Sequence, residues 1–240
     1  MGKMTDDGPV VKDLVLIGGG HSHVYVLKMF GMNKLPGVRV TLVAKEVNTP
    51  YSGMLPGHIA GHYTWDECHV DLRPLCTFAG HRLIHDEAVS IDYKNKRIVL
   101  KNRPPIPYDA VSIDIGIPPA ASVAGALDFT TPVKPIYGFG ARWEALLERV
   151  LTTETQTRVV VVGGGAGGVE LALAMQHRML SELQKAGQPS DRAEFKLVTR
   201  GELMPTHPAA TRATFRDIFA SRGIELVEGN GVKTVSKGTV

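Results

Sequence analysis

The chain has 240 residues, which is enough to bury one large hydrophobic core or two smaller ones. Its formal net charge of +3 is small and no basic block is interleaved with aromatic residues, so nucleic acid is not a predicted partner. Two cysteines are too few for a disulfide framework, which indicates a reducing compartment, and no apolar stretch approaches the roughly 18–20 residues of a membrane span.

The chain begins with a predicted strand–turn–helix–strand unit. An apolar strand at 13–17 runs into three glycines, a helix follows over 22–30, and a buried strand is predicted over 38–44. Proline and glycine recur over 46–61, so this stretch is predicted to be irregular.

The middle of the chain is predicted to contain shorter elements, which follow one another in this order: a helix over 71–79, a strand over 81–85, a hairpin of strands 88–92 and 97–100, and a strand over 108–113. The stretch 118–135 is rich in Pro, Ala and Gly and is typical of a connector. An amphipathic helix is predicted over 136–151.

The first pattern then returns. A β-branched strand at 158–162 runs into glycines, a long helix over 166–183 and a strand over 194–199, and a further helix and strand follow. A unit that occurs twice at this spacing indicates duplication of a domain. The predicted fold class is therefore α/β with two Rossmann-like dinucleotide-binding βαβ domains, at 12–119 and 157–240, joined by a connector with a helix at 120–156.

The first glycine turn follows one strand and opens one helix. The residues predicted to bind a dinucleotide there are Gly18, Gly19, Gly20, His21 and Ser22. Gly18 permits the sharp turn, and Gly20 lets the backbone approach a pyrophosphate that the helix N-terminus attracts. His23 replaces the third glycine of the fingerprint, so a looser contact between helix and strand is expected. His21 and His23 either contact a phosphate or cofactor ring, or are solvated or capping residues.

An acidic residue that binds the ribose is expected at the end of the second strand. Ala44 occupies the usual position, and Glu46 follows two residues later, which makes Glu46 the candidate. A glutamate in an exposed loop would give the same pattern, so both interpretations stay open.

The second glycine turn matches G-x-G-x-x-G in full, with Gly163, Gly165 and Gly168 between a strand and an alanine-rich helix that includes Glu170. These four residues are predicted to contact a second dinucleotide. The acidic residue is missing after the second strand, where Arg200 stands instead. An arginine there accommodates the 2′-phosphate of NADP, which favours NADPH, although a surface arginine needs no ligand.

Taken together, the two units resemble the FAD-dependent pyridine nucleotide-disulfide oxidoreductases, flavoproteins with two dinucleotide-binding domains. The segment 108–116 is similar to the family's Y-D-x-L-V-x-A-T-G segment, which returns the chain beside the FAD phosphates and implies a role for Gly116. Asp114 and Ile115 depart from the small residues usual there. The segment 49–57 lies where relatives line the flavin, which implies that Pro50 and Tyr51 contact it.

Within this family the chain resembles the branch of type II NADH dehydrogenases and sulfide:quinone reductases. The segments 49–57 and 133–136 are similar to the flavoprotein module fused to selenide, water dikinases, which implies fusion to or association with a selenophosphate-synthesising domain. Relatives continue with the rest of the second domain and a C-terminal interface domain. The resemblance therefore implies that the second domain is truncated here.

The resemblance implies FAD at the first turn and NAD(P)H at the second. The expected function is an oxidoreductase that passes electrons from NAD(P)H through the flavin to a small-molecule acceptor, a quinone or a small sulfur or selenium species. Disulfide reductases of the family need a Cys-x-x-x-x-Cys pair, and Cys68 and Cys76 do not have that spacing, so no redox-active disulfide is expected.

The alternative function is a non-catalytic nucleotide-binding module of a larger fused enzyme. No catalytic residue is assigned, and Cys68, His69 and His62 lack zinc-site spacing, so no metal is predicted. The expected location is the cytoplasm, with any peripheral membrane contact left to residues outside this chain.

Overall fold

The computed structural model describes residues 9–116 and 123–240, and these ranges form two compact units. The first unit contains the described residues up to 51 and residues 69–116, whereas the second contains residues 52–68 and 123–240. Each unit has its own parallel sheet. No helix in the described ranges combines the length and apolar character that crossing a bilayer requires.

Numbered in chain order, the elements of the first half are β1 (Lys12–Ile17), α1 (His21–Met32), β2 (Val38–Ala44), β3 (Asn48–Pro50), α2 (Leu55–Ile59), β4 (His69–Asp71), α3 (Leu72–Ala79), β5 (Arg82–His85), β6 (Ala88–Asp92), β7 (Arg97–Leu100), β8 (Ile106–Pro107) and β9 (Ala110–Ile113). The elements of the second half are α4 (Ala126–Phe129), α5 (Ile136–Thr152), β10 (Thr157–Val162), α6 (Ala166–Lys185), β11 (Ala193–Val198), α7 (Ala209–Ser221) and β12 (Glu225–Val227).

The first sheet has the parallel strand order β5-β2-β1-β9, so β1 lies between two strands that the chain reaches in opposite directions. At its carboxyl end, Ile17 pairs with Val43 on one side and with Ile113 on the other. In open α/β sheets, ligands bind outside the carboxyl ends of the strands at the point where the strand order reverses. That point lies at the carboxyl ends of the neighbouring strands β1 and β9, directly beside the first glycine turn.

The two faces of this sheet are covered by different layers. Because side chains alternate along a strand, Leu16 and Leu42 face α1 and α3, where Leu72 and Cys76 complete one cluster. The neighbouring strand residues face the antiparallel strands β6, β7 and β8, and the buried members of that cluster are Val15, Ile17, Val43, Ile98 and Leu100. The carboxyl-terminal halves of β1 and β2 are therefore buried on both faces.

Leu72, the first residue of helix α3, lies beside the glycine turn, and an N-cap fixes its position. Asp71 is the N-cap, and its Oδ1 accepts a hydrogen bond of 2.9 Å from the N–H of Arg73. The helix ends at Gly80, whose φ of +69° is the left-handed conformation that glycine adopts without a steric penalty. Both ends of α3 are thus specified by local sequence.

The second sheet has the parallel order β10-β11-β12, in which Val198 pairs with Val162 and with Val227. Helices α2, α5, α6 and α7 supply the rest of one continuous core. Its most completely buried members are Ile59, Val169, Met179, Leu183, Leu197, Leu203 and Phe219.

The observed units differ from the domain boundaries expected from the sequence. Residues 52–68 fall within the expected first domain, and the stretch 46–61 is predicted to be irregular. They contain α2, whose Leu55 and Ile59 are buried in the core of the second unit. The expected connector contains α5, which buries Phe139 and Trp143 in the same core. Residues 117–122 of that connector lie outside the described ranges. The reason for the difference is long-range packing, which local pattern does not report.

We expect Leu197→Ala to destabilise the second unit by about 2–5 kcal/mol, because it leaves a cavity at the centre of β11. Both tryptophans of the chain, Trp65 and Trp143, belong to this unit, so tryptophan fluorescence during urea unfolding measures its stability. Leu127→Ala is the matched control, since the Leu127 side chain is 71% exposed. Equal urea midpoints for the two variants would contradict the assigned core.

Candidate functional site

The first glycine turn is held by hydrogen bonds on both sides of β1. The N–H of Gly18 donates to Val43 O over 2.8 Å, and the N–H of Asp114 donates to Ile17 O over 2.8 Å. The N–H of Gly20 in turn donates to Asp114 O over 3.2 Å. The end of β9 is therefore part of the turn, and Gly18 has a φ of +91°, a conformation that glycine reaches without strain.

All three glycines of this turn lie against other atoms of the first unit. A β-carbon at Gly18 would overlap the carbonyl oxygen of Asp114, and one at Gly19 would lie 2.6 Å from Leu72 Cδ1. At Gly20, a β-carbon would overlap the carboxyl group of Asp114. In the dinucleotide fingerprint, the space beside this second glycine is where the pyrophosphate approaches the backbone.

His23 makes close contacts, which corrects the expectation of a loose fit between helix and strand. Its side chain is buried, with Nδ1 2.7 Å from Gly18 O and Nε2 2.8 Å from Ser112 Oγ. A carbonyl oxygen only accepts, so Nδ1 donates to Gly18 O, and Nε2 forms a hydrogen bond with the Ser112 hydroxyl. The imidazole thus joins the turn to β9, and it is neither solvated nor available to a phosphate.

Asp114 provides the anion at the N-terminus of α1. Its Oδ2 accepts hydrogen bonds from the N–H of Ser22 over 2.9 Å and of His23 over 3.4 Å. These belong to the first-turn N–H groups that have no partner within a helix and that carry its partial positive charge. The glycine backbone of the first turn has the conformation of a dinucleotide cradle, but a phosphate group does not fit beside these N–H groups while the carboxylate is there.

The other residues predicted for the first dinucleotide lie around the same strand ends. The ring centroids of His21 and Tyr51 are 4.4 Å apart, and Pro50 pairs with His69 between β3 and β4. Glu46 is exposed in the loop after β2. Gly116 follows Asp114 by two residues and has a φ of +75°. The structure therefore brings His21 and Tyr51 together, while the ligand contacts of these five residues stay predictions.

The second glycine turn has the same strand-to-helix form but a close third glycine. The N–H of Gly163 donates to Val198 O over 2.8 Å, and Gly163 has a φ of +121°. A β-carbon at Gly168 would overlap Gly163 O, so α6 packs directly on the turn. A β-carbon at Gly164 would lie 2.7 Å from the side chain of Thr199, a packing residue that the motif does not specify.

The space in front of this second turn is open. β-Carbons at Gly163, Gly165 and Gly167 would meet no atom within 4 Å apart from their own chain neighbours and helix backbone. Gly165 is the N-cap of α6, with φ −72° and ψ 170°, and Glu170 is exposed further along the same helix. An open helix N-terminus with glycine in front of it fits a pyrophosphate.

Arg200 is exposed two residues after β11, and its aliphatic stem approaches Gly231, where a β-carbon would lie 3.2 Å from Arg200 Cγ. The acidic residue nearby is already bound: Glu228 accepts from both Arg216 Nε and Nη2 over 2.8 and 2.9 Å, which lowers the pKa of its carboxyl. Its Oε1 also accepts from the N–H of Leu203 over 2.6 Å. Glu202, two residues after Arg200, is paired with Arg212, so neither carboxylate is bound to Arg200, which has no ion-pair partner among the described residues.

Both cysteines are buried and free, and they belong to different units. Burial raises the pKa of the Cys76 thiol to about 11, and burial together with the charge of Glu67 raises the pKa of Cys68. Because the thiolate is the reactive form, neither side chain is prepared for thiol–disulfide exchange at neutral pH.

The family profile described as pyridine nucleotide-disulphide oxidoreductase matches residues 12–240. The chain belongs to this family. It is 27% identical over 240 residues to the NADH dehydrogenase-like protein YutJ of Bacillus subtilis (strain 168), with 96% of this chain and 61% of that protein covered. The family membership and the two parallel sheets confirm the predicted α/β fold class.

Solved structures of other proteins share the fold. NDH2 from Plasmodium falciparum in complex with NADH superposes with a TM-score of 0.83 at 18% identity, over 94% of this chain and 49% of that one. The sulfide:quinone oxidoreductase from Aquifex aeolicus gives a TM-score of 0.76 at 20% identity, over 94% of this chain and 53% of that one. The chain therefore spans about half the length of these two structures, and 61% of that of the Bacillus relative.

If a dinucleotide pyrophosphate occupies the second turn, Gly165→Val will weaken NADPH binding by about tenfold or more without destabilising the fold, because the new side chain enters open space. The melting temperature should stay within about 2 °C of the wild type. Gly138→Val, at an equally open glycine on α5, is the control. Titration calorimetry that gives the same dissociation constant for both variants would exclude the second turn as the phosphate site.

Proposed function

We propose that the chain is part of an FAD-dependent NAD(P)H oxidoreductase that passes electrons through the flavin to a quinone or a small sulfur or selenium acceptor. The observation that carries this proposal is the presence of two glycine turns of the same strand–turn–helix form, one in each compact unit. One turn is enough for a nicotinamide dehydrogenase, whereas a flavoprotein that takes hydride from NAD(P)H needs a second dinucleotide site.

In this proposal each unit holds one dinucleotide. The residues assigned to FAD are Gly18, Gly19, Gly20, His21, Ser22, Glu46, Pro50, Tyr51 and Gly116. The residues assigned to NAD(P)H are Gly163, Gly165, Gly168, Glu170 and Arg200. The second set has the better fit, because its helix N-terminus is open, whereas the first requires Asp114 to move.

The flavin, when bound, supplies the two-electron chemistry, and the residues of the chain bind, orient and shield it. Gly163 and Gly165 present the N-terminus of α6 to the pyrophosphate, and Arg200 presents its charge to a 2′-phosphate. The buried thiols of Cys68 and Cys76 take no part. The proposed reaction is therefore direct and needs no redox-active disulfide.

The relatives support the acceptor class in part. One of the solved structures contains NADH and another is a sulfide:quinone oxidoreductase, which agrees with a nicotinamide donor and a quinone or sulfur acceptor. These relatives include no selenophosphate-synthesising enzyme, so association with one stays a prediction of the sequence, as does a location in the cytoplasm.

A second candidate function is a nucleotide-binding module without turnover. The carboxylate of Asp114 favours it, because an occupied helix N-terminus in the first unit leaves only the second turn open to a dinucleotide. The two candidates differ in one property: the oxidoreductase contains flavin that NAD(P)H reduces, and the module does not.

Arg200→Ala should weaken NADPH binding by about tenfold or more and leave NADH nearly unchanged, because a charge-assisted contact contributes about 1.5–3 kcal/mol and only NADPH has the 2′-phosphate. Dissociation constants from titration calorimetry test this. Arg142→Ala, an exposed arginine on α5 of the same unit, should change neither. Equal losses for the two nucleotides in Arg200→Ala would refute the assignment.

The double variant Cys68→Ser, Cys76→Ser should keep flavin reduction by NAD(P)H and reduction of an artificial quinone, measured by visible absorbance of the full-length protein. A lower melting temperature is expected, with a cost of about 1–3 kcal/mol, because each serine hydroxyl replaces a buried thiol. A folded double variant that binds FAD but no longer passes electrons to the quinone would contradict the thiol-free reaction. A wild type without reducible flavin would favour the module instead.

A further inference from the structure

The two glycine turns differ in what stands before their helices. At the second turn, a β-carbon on Gly165 would meet open space. At the first turn, the corresponding Gly20 faces the carboxyl group of Asp114, so closely that only a glycine leaves room for it. The space that the fingerprint reserves for a pyrophosphate is thus filled from within the chain at one turn and free at the other.

The contacts of Asp114 are those of a bound anion. Its Oδ2 lies 2.9 Å from the N–H of Ser22 and 3.4 Å from the N–H of His23, both in the first turn of α1. A phosphate at a helix N-terminus uses the same kind of donors and the same partial positive charge. Two anions cannot share these donors, because their like charges repel at such short range.

The carboxylate can leave without a change in the fold. The main chain of Asp114 is held separately, by its N–H to Ile17 O and by its carbonyl to the N–H of Gly20. The side chain is only half-buried, so rotation about its own bonds takes the carboxylate away from the helix. The hydrogen bonds of the buried His23 to Gly18 and Ser112 do not involve the Asp114 carboxylate, so its rotation breaks neither of them.

We propose that Asp114 is an internal anion that caps α1 when the first turn is empty and competes with the phosphates of FAD for the same N–H groups. This inference rests on the proposed assignment of FAD to the first turn. Asp114 then sets the affinity for the cofactor. It stabilises the flavin-free form of the first unit, and it thereby reduces the free energy that is gained when FAD binds.

The test compares Asp114→Ala and Asp114→Asn in the full-length protein stripped of flavin. Asp114→Ala should lower the melting temperature by about 2–4 °C, because a helix cap is lost. It should also tighten FAD binding by about tenfold or more, since the donors are free in advance. Asp114→Asn, which keeps the shape without the charge, should lie between the wild type and Asp114→Ala in both measurements.

Asp92→Ala is the matched control. The Asp92 carboxylate also accepts from two backbone N–H groups, those of Lys94 and Asn95, over 3.1 and 3.0 Å, but it lies in the hairpin between β6 and β7. This variant should lose stability without any change in FAD affinity. If Asp114 were only a structural cap, Asp114→Ala would also lose stability without a change in FAD affinity. That result would overturn the proposed competition with the phosphates.

Amide hydrogen exchange at Ser22 separates failure of this inference from failure of the proposed function. Exchange should be faster in Asp114→Ala than in the wild type, and saturating FAD should slow it again in both. If FAD binds and protects Ser22 but Asp114→Ala weakens binding, the competition is wrong and the flavin site stands. If FAD neither binds nor protects Ser22 in any variant, both the inference and the flavin assignment are overturned.

Discussion

A parallel strand that turns directly into a helix leaves backbone N–H groups that point out of the sheet without partners. The structure depends on how these groups are satisfied at two places, the N-termini of α1 and α6. The sharp turn before each helix requires glycine at Gly18 and Gly163, both of which have positive φ values. The same geometry concentrates positive charge at the carboxyl edge of each sheet, so each turn favours an anion, either from a ligand or from the chain itself.

The two turns meet this need differently, and the difference gives them different properties. At the second turn Gly168 lets α6 pack against the turn, and the helix N-terminus faces open space, where an external anion has room. At the first turn His23 replaces that glycine and joins β1 to β9 by hydrogen bonds, and Asp114 supplies a carboxylate. The N-terminus of α1 is therefore paired within the first unit, whereas the N-terminus of α6 is open in the second.

In the proposed assignment, this asymmetry links the stability of the first unit to its affinity for the cofactor. An internal anion contributes to the folded state only while the ligand is absent, so a ligand at the same donors gains less than it would at an empty site. The two thiols contribute to stability by packing, because Cys68 and Cys76 are buried as small apolar groups. The raised pKa of the Cys76 thiol, about 11, keeps it neutral over the physiological pH range. In a family described by its disulphide chemistry, the described part of this chain thus uses its cysteines for packing.

Local patterns in the sequence determined most of the elements and both turns. Apolar strands ending in glycine, followed by helical periodicity, are sufficient to place β1, α1, β10 and α6, because strand period, glycine conformation and helix capping act over a few residues. The α/β class and the family follow from the same residues. The spacing of Gly163, Gly165 and Gly168 predicted the second turn, because the glycine fingerprint is also a pattern of a few neighbouring residues.

Only the tertiary structure decided which distant residues meet at those turns. Asp114 lies 92 positions after Ser22 along the chain, and its departure from the family pattern did not reveal that its carboxylate caps α1. Other contacts are likewise long-range: Leu72 packs on Gly19, His23 is buried against β9, and α2 packs in the core of the second unit. Side-chain packing and hydrogen bonding between distant segments depend on strand register and topology. The local periodicity of a sequence carries no information about either.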